Sequence, residues 1–264
     1  MKRNRLLTIM GFVGILGISN ITLAAQPAAP TPTNNALTPA QVKQVQNIIR
    51  SYLIKNPEIL VAASEALQQK AMKKAEVNAK SAIKKYSKEL FNDPNSPIAG
   101  NPNGKVNFVE FMDYQCGHCR VMAPAIAGIL NKNKNVRYIV KELPIFGDDS
   151  TFAAQIALAA YKQNPKNFET LHEALFKLKR PITNQSILDA ATSAGYNASQ
   201  LQNTIKTDKT IAEQIKNNFT LAQELGIIGT PTFVIANRDG SNTSYIPGAT
   251  PEQNLETLLQ KAAG

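Results

Sequence analysis

From Val42 onward apolar residues recur at helical spacing: Val42, Val45, Ile49 and Leu53, then a pause at Asn56-Pro57, then Ile59, Leu60, Ala63 and Leu67. A Lys-rich helical stretch carries the pattern on through Ala71, Ala75, Ile83 and Leu90. Thr38 followed by Pro39 supplies an N-cap and a first-turn proline for its start. These stripes are narrow, too little to bury a core of their own. A helix of this kind must lie against its own domain or against a second copy of itself. The thin seam, placed ahead of a complete domain, favours an oligomerisation region over residues 38–92.

After Leu90 the pattern changes. Asp93 to Gly104 (DPNSPIAGNPNG) is dense in Pro, Gly and Asn and reads as a turn-rich boundary. Lys105 to Met112 (KVNFVEFM) is a β-type run, and Val136 to Glu142 (VRYIVKE) is a second, ended by Pro144 and Gly147. A mainly helical block runs from Ser150 to Leu225, divided at Asn164-Pro165, Arg180-Pro181 and Gly195 and stopped by Gly226. Thr232 to Ala236 is a third strand, Tyr245-Ile246 a candidate fourth, and a closing helix starts at about Pro251. Strand–helix–strand, then helices, then strand–strand–helix predicts an α/β sheet interrupted by a helical insertion at about 148–226. There is no internal repeat.

The N-terminus bears on compartment. Lys2, Arg3 and Arg5 precede an apolar stretch from Leu6 to Ile18, and Ala24 and Ala25 stand before Gln26. That is the layout of a cleaved secretory signal over residues 1–25, with residues 26–37 (QPAAPTPTNNAL) left as a flexible linker. The apolar run is too short for a membrane anchor and has no stop-transfer flank. No cysteine marks a lipid-anchored precursor, and no other segment is apolar enough to span a bilayer. Loss of Lys2, Arg3 and Arg5 takes the formal charge from +10 to +7. The remaining lysines are scattered rather than clustered among aromatics, so no nucleic-acid partner is expected. At 43% hydrophobic and 18% charged, the composition is otherwise that of an ordinary globular protein.

Only two cysteines occur, and they sit together as Cys116-Gly117-His118-Cys119. In an oxidising compartment a pair this close staples almost nothing, because the loop it closes is so short. Redox exchange is the better use. A Cys-x-x-Cys directly after a strand opens a helix, where orphan N–H groups and the dipole favour a thiolate on Cys116. His118 adds positive or partial positive charge beside that sulfur, and Pro124 bends the helix later on. A c-type haem site would need His after the second cysteine, where Arg120 stands. Zinc would need about four ligands, and the chain offers two Cys and two His, with His172 far off. No metal or other cofactor is therefore expected. Copper(I) held by the two thiolates stays open as a non-catalytic alternative.

Glu110 lies in an otherwise apolar strand run, six residues before Cys116. Turned inward below the cysteines it would have a raised pKa suited to proton traffic with Cys119. Turned outward it is a surface glutamate. The inward reading is preferred because Val109 and Phe111 also need a buried face. Gly229-Thr230-Pro231-Thr232, just before the third strand, is by itself only a weak turn signal.

Phe108-Val109-Glu110-Phe111, Cys116-Gly117-His118-Cys119, Lys141-Glu142-Leu143-Pro144 and Gly229-Thr230-Pro231-Thr232-Phe233 together make the chain from Asp93 to its C-terminus resemble the DsbA family. Those are periplasmic oxidoreductases with a thioredoxin fold and an inserted helical domain. The resemblance implies a thioredoxin domain over 93–264, a cis-proline at Pro231 packed beside the cysteines, a Thr230 backbone offered to extended substrate, and Glu110 as the buried acid. It also implies Cys116 as the attacking and Cys119 as the resolving residue of a redox-active disulfide. Gly117-His118 departs from the Pro-His of DsbA-type oxidases and matches protein disulfide isomerase, the milder oxidant. Thr230 before the proline leans the same way, and the 38–92 extension is similar to regions that dimerise or trimerise DsbA-like proteins. The expectation is a periplasmic oxidoreductase that forms or isomerises disulfides. Its expected partners are unfolded or misdisulfided exported proteins, a membrane redox protein that recycles the cysteines, and a second copy of itself, as a homodimer or else a trimer.

Overall fold

The computed structural model describes residues 37–264, so the expected signal segment and all of the linker except Leu37 lie outside the described residues. The described residues divide into two units, one ending at Leu60 and the other running from Val61 to Gly264. In the first unit, α1 (Pro39–Lys55) begins at Thr38, whose hydroxyl accepts from the Gln41 N–H while the Gln41 amide oxygen accepts from the Thr38 N–H. This reciprocal box satisfies two donors that a helix start leaves orphaned. The helix buries no residue, and Val42, Val45, Ile48, Ile49 and Tyr52 are exposed. Asn56-Pro57 is the boundary before α2 (Glu58–Lys85).

In the second unit a five-stranded sheet has the order β1-β3-β2-β4-β5, with β1 Ile98–Gly100, β2 Val106–Met112, β3 Val136–Glu142, β4 Thr232–Asn237 and β5 Ser244–Pro247. Strands β2 and β3 are parallel, joined by α4 (Gly117–Lys132), and the other pairings are antiparallel. Both central strands are buried along their whole length. That is why their apolar residues fall on both faces instead of alternating, with Asn107, Glu110, Arg137, Lys141 and Glu142 as buried polar exceptions. Gly104 has to be glycine: a Cβ there would lie 2.6 Å from the Asn135 carbonyl oxygen. Strand β1 falls inside the segment read as a boundary. Three residues after Pro97, the last a Gly100 at φ +68°, carry no periodicity to detect, yet they pair with Arg137, Tyr138 and Ile139 at the sheet edge.

The helical insertion consists of α5 (Asp148–Gln163), a 3-10 turn (Pro165–Asn167), α6 (Phe168–Lys177), α7 (Asn184–Ser193), α8 (Ala198–Thr207) and α9 (Lys209–Glu224). Helix α10 (Glu252–Ala263) closes the chain. One face of the sheet packs on α4, α10 and the insertion through Phe108, Met112, Tyr138, Val140 and Phe233. The other face is covered by Leu221 and Leu225 of the α9 end and by Ala79, Ile83, Leu90 and Phe91, the last two from α3 (Ser87–Phe91). The tail of the predicted extension is therefore part of the sheet's core. Removing residues through 92 would strip Ile83, Leu90 and Phe91 from it, at about 1.5–3 kcal/mol for each large side chain. Among the described residues no helix is long and apolar enough to cross a membrane.

Candidate active site

Strand β2 ends at Met112, and a short turn carries the chain into α4 with Cys116 as its N-cap. Asp113 holds this turn. Its carbonyl accepts from the Cys116 N–H at 3.0 Å, and its carboxylate accepts from Gln115 N, Ile145 N, Phe146 N and the Ser150 hydroxyl. One buried acid thus ties the cysteine turn to the loop after β3. Pro124 lies inside an α4 that runs unbroken to Lys132, and it leaves the Arg120 carbonyl without its helical N–H.

Both cysteines are reduced. Cys116 is 2% exposed and Cys119 fully buried. The Cys116 thiol is lowered to about 5, first by the hydrogen bond from the Cys119 thiol, then by Thr230 and the backbone N–H groups of Cys119 and His118. Cys119 moves the other way, raised by donating that bond and by burial, with the Glu110 charge adding to it. The pair is strongly polarised: one sulfur is an anion at neutral pH and its neighbour keeps its proton. The His118 side chain is exposed, so what this residue gives the Cys116 sulfur is its backbone N–H.

Thr230 approaches from across the turn. Its carbonyl oxygen lies 3.2 Å from the Cys116 Sγ, where it can accept only from the protonated thiol, and the peptide bond to Pro231 is cis. A second cis bond lies at Arg180-Pro181, which the sequence marked only as a break between helices. Ile228, two residues before Thr230, is 99% exposed, and Ile145 and Phe146 of the loop held by Asp113 are exposed as well.

Beneath the cysteines lies Glu110, 1% exposed and facing inward. Burial raises its carboxyl to about 8, with the Cys116 charge adding and a hydrogen bond from Tyr138 opposing. The Tyr138 hydroxyl donates to Oε2, and Oε1 has no hydrogen-bond partner. Sequence reasoning missed this tyrosine, because only the β2–β3 register places Tyr138 two pairs away from Glu110, on the same face of the sheet. It also missed a second buried acid, Glu142, whose Oε1 accepts from the Tyr114 hydroxyl at 3.1 Å. Tyr114 lies 2.9 Å from Nδ1 of His172, the histidine the sequence placed far from the cysteines. Burial holds the His172 imidazole neutral, lowered to about 3, and pushes the Glu142 carboxyl up. Among the described residues no three His, Cys, Asp or Glu side chains gather as a metal site.

The family model described as Thioredoxin matches residues 92–245, and that described as Copper resistance protein ScsC N-terminal domain matches residues 41–74. Disulfide bond formation protein D of Bacillus subtilis is 27% identical over 152 residues, covering 54% of this chain and 68% of its own. A solved structure of Proteus mirabilis ScsC in a transitional conformation superposes with a TM-score of 0.61 at 35% identity, over 86% of this chain and 99% of that one. The thiol-disulfide exchange protein alpha-DsbA2 from Wolbachia pipientis gives 0.63 at 32% identity, over 69% and 95%.

Proposed function

Because this chain belongs to the thioredoxin family, as a DsbA-like thiol:disulfide oxidoreductase with an N-terminal extension, we propose that it forms and rearranges disulfides in exported proteins, with Cys116 exchanging and Cys119 resolving. The observation that carries this reading is the opposite displacement of the two sulfurs, Cys116 lowered to about 5 and Cys119 raised. A thiolate is both the attacking species and the good leaving group in exchange. Two such groups of equal pKa would not divide the labour.

In the oxidising direction a substrate thiolate attacks Cys116 Sγ of the enzyme disulfide. The Cys116–Cys119 bond breaks, and Cys119 leaves as a thiolate that takes its proton from Glu110. A second substrate thiolate then attacks the substrate sulfur of the mixed disulfide and expels Cys116, which the helix N–H groups receive as an anion. The two electrons stay on the enzyme as a dithiol, for the membrane redox partner to remove. In isomerisation the Cys116 thiolate attacks a wrong substrate disulfide, and a second substrate thiol or Cys119 releases it. Thr230, beside the sulfur, offers its backbone for strand addition by extended substrate. The exposed Ile145, Phe146 and Ile228 offer apolar contact to an unfolded chain.

Isomerisation is favoured by Gly117-His118 and by the exposed apolar stripe of α1, which calls for a second copy. A homodimer, or a trimer, would hold paired active sites around one misfolded substrate. The sequence of residues 1–25 supports export to the periplasm, where thiols oxidise. The test is reactivation of a scrambled multi-disulfide protein by residues 26–264 and by residues 61–264, a cut that spares the buried Ile83, Leu90 and Phe91. Strong reactivation lost with the truncation establishes an oligomeric isomerase. Weak reactivation by both forms, with fast oxidation of reduced substrate, makes it an oxidase.

A second reading rests on residues 41–74 and their match to a copper resistance protein's N-terminal domain. Here the same two sulfurs hold copper(I) and turn nothing over. One equivalent of bound copper, with no exchange activity in the metal-free protein, would decide for it.

A further inference from the structure

Two arginines flank the cysteine turn, and the exchange chemistry uses neither. Arg120 follows Cys119 in the first turn of α4, and its backbone N–H donates to the Cys116 carbonyl at 3.1 Å. Arg180, in the connection between α6 and α7, donates to the carbonyl of Gln115, the residue before Cys116. Among the described residues neither guanidinium is paired with an acid.

Arg120 is poorly compensated on three counts. A cation in the first turn of a helix opposes the positive end of the dipole, and no acid of that turn offsets it. Its Nη1 is buried with no hydrogen-bond partner, and a buried donor left unpaired is costly, more so on a charged group. Burial first, and then the charge of Arg180, lower its affinity for its proton. The Cys116 thiolate is not the missing counterion: the groups that lower that thiol are Cys119, Thr230 and the backbone N–H of His118.

Arg120 lines a hollow of about 190 Å3 between α4 and α6. Ala123, Pro124 and Ala127 form one wall, Phe176 and Lys177 the other. Glu173 is the acid there, and Lys177 pairs with it at 2.8 Å. The hollow thus offers apolar walls and one uncompensated cation, where Arg120 joins Cys119.

We infer that Arg120 and Arg180 bind a carboxylate of the substrate chain, so that the site favours cysteines with an acidic residue one or two positions away. The inference rests on the exchange reading and names the class of substrate that reading takes. The planar fork of a guanidinium matches a carboxylate, and an anion here would offset both the dipole and the mutual repulsion of the arginines. The hollow gives the acidic side chain room. Distance sets the spacing: the four residues of helix from Cys116 to Arg120 rise about 6 Å, which about two residues of extended chain span.

The test uses the oxidised full chain and reduced two-cysteine peptides that carry aspartate, asparagine or lysine on both sides of the first cysteine. The readout is the aspartate-to-asparagine ratio of kcat/KM for peptide oxidation. Comparing that ratio between enzyme forms cancels each peptide's own thiol reactivity. Arg120→Met should lower the ratio about fivefold, and Arg180→Met about threefold. Salt at about 1 M, where the Debye length is about 3 Å, should lower the wild-type ratio. Arg120→Glu, which suits the first turn of a helix, should turn the preference from the aspartate to the lysine peptide. If Arg120→Met fails to fold, Arg120→Glu and the exposed Arg180→Met decide. A ratio equal within about twofold in wild type and every folded variant overturns the carboxylate site and leaves the exchange reading standing. A wild-type protein that oxidises none of the peptides overturns the exchange reading itself.

Discussion

The two faces of the central sheet both bury charge, and they treat it in opposite ways. On the face under α9, Lys141 of β3 is fully buried and spends its three N–H donors on the Glu89 carbonyl, the Asp93 carboxylate at 3.2 Å and the Ser96 hydroxyl. Gln214 and Asn218 of α9 complete that network by donating to Asp93 and to the Glu142 carbonyl. On the face under α4 and α6, Glu110 and Glu142 have no cation among the described residues, and each keeps one oxygen without a partner there. A satisfied buried network fixes geometry; an unsatisfied one stores a perturbed proton affinity. Adjacent residues of one strand, Lys141 and Glu142, thus serve different ends, because a strand sends successive side chains to opposite faces.

Lys141→Met breaks the satisfied network and should have the largest effect. It leaves Asp93 and the Glu89 carbonyl without their cation, and removing one partner of a buried pair costs about 3 kcal/mol or more. Denaturant unfolding should show that loss, while the ultraviolet titration of the Cys116 thiolate stays where it is. A shifted thiolate titration would mean the two faces are not separable. Glu110→Gln makes the converse cut. It removes a group whose ionisation burial opposes, so stability should hold, while the Cys119-dependent step slows by about 10²-fold at pH 7, the scale of a lost proton-transfer group. Equal rates would show that Cys119 finds its proton partner elsewhere.

The pH dependence of stability sharpens the same contrast. Cys116 goes from 9.0 in a free thiol to about 5 in the fold. Between these values the unfolded chain binds the extra proton, so the reduced protein gains stability as pH rises through the window and loses it as pH falls through about 5. Glu110 has the opposite sign. It goes from 4.5 to about 8, the folded chain binds the extra proton, and stability falls as pH rises. Thermal melts of reduced wild type and Cys116→Ser should therefore diverge from pH 5 to pH 9, with wild type gaining relative to the variant. Parallel curves would remove the thiolate from the stability of the reduced form.

How much of this the sequence disclosed follows from which signals are local. The runs at 105–112 and 136–142 were legible because both strands are buried on both faces, and Glu110 stood out as the acid in an apolar strand. Glu142 is equally buried, but at a strand end beside Lys141 and Pro144 it looks like an ordinary surface acid. Tyr138 and His172 gain meaning only through register and the packing of α6, which span 28 and 58 residues of chain to their partners. The helical extension was legible as helix, while the burial of its last turns was not, since Ile83, Leu90 and Phe91 continue the same apolar spacing into the core.

Tyr138→Phe gives the smallest and most specific effect expected here. The Tyr138 hydroxyl donates to Glu110 Oε2 and opposes the rise of that carboxyl, so removing it should push Glu110 higher still. A hydrogen bond of about 1 kcal/mol corresponds to about 0.7 of a pKa unit. The pH at which the Cys119-dependent step reaches half its plateau should move up by about that much, so the step slows at pH 7 and recovers in more alkaline solution. The ring stays, its packing on Phe108 at 5.4 Å stays, and stability should fall by no more than about 1 kcal/mol. A profile that moves down instead would mean Tyr138 chiefly stabilises the protonated acid, and the polar groups of this face would then be holding the proton rather than passing it.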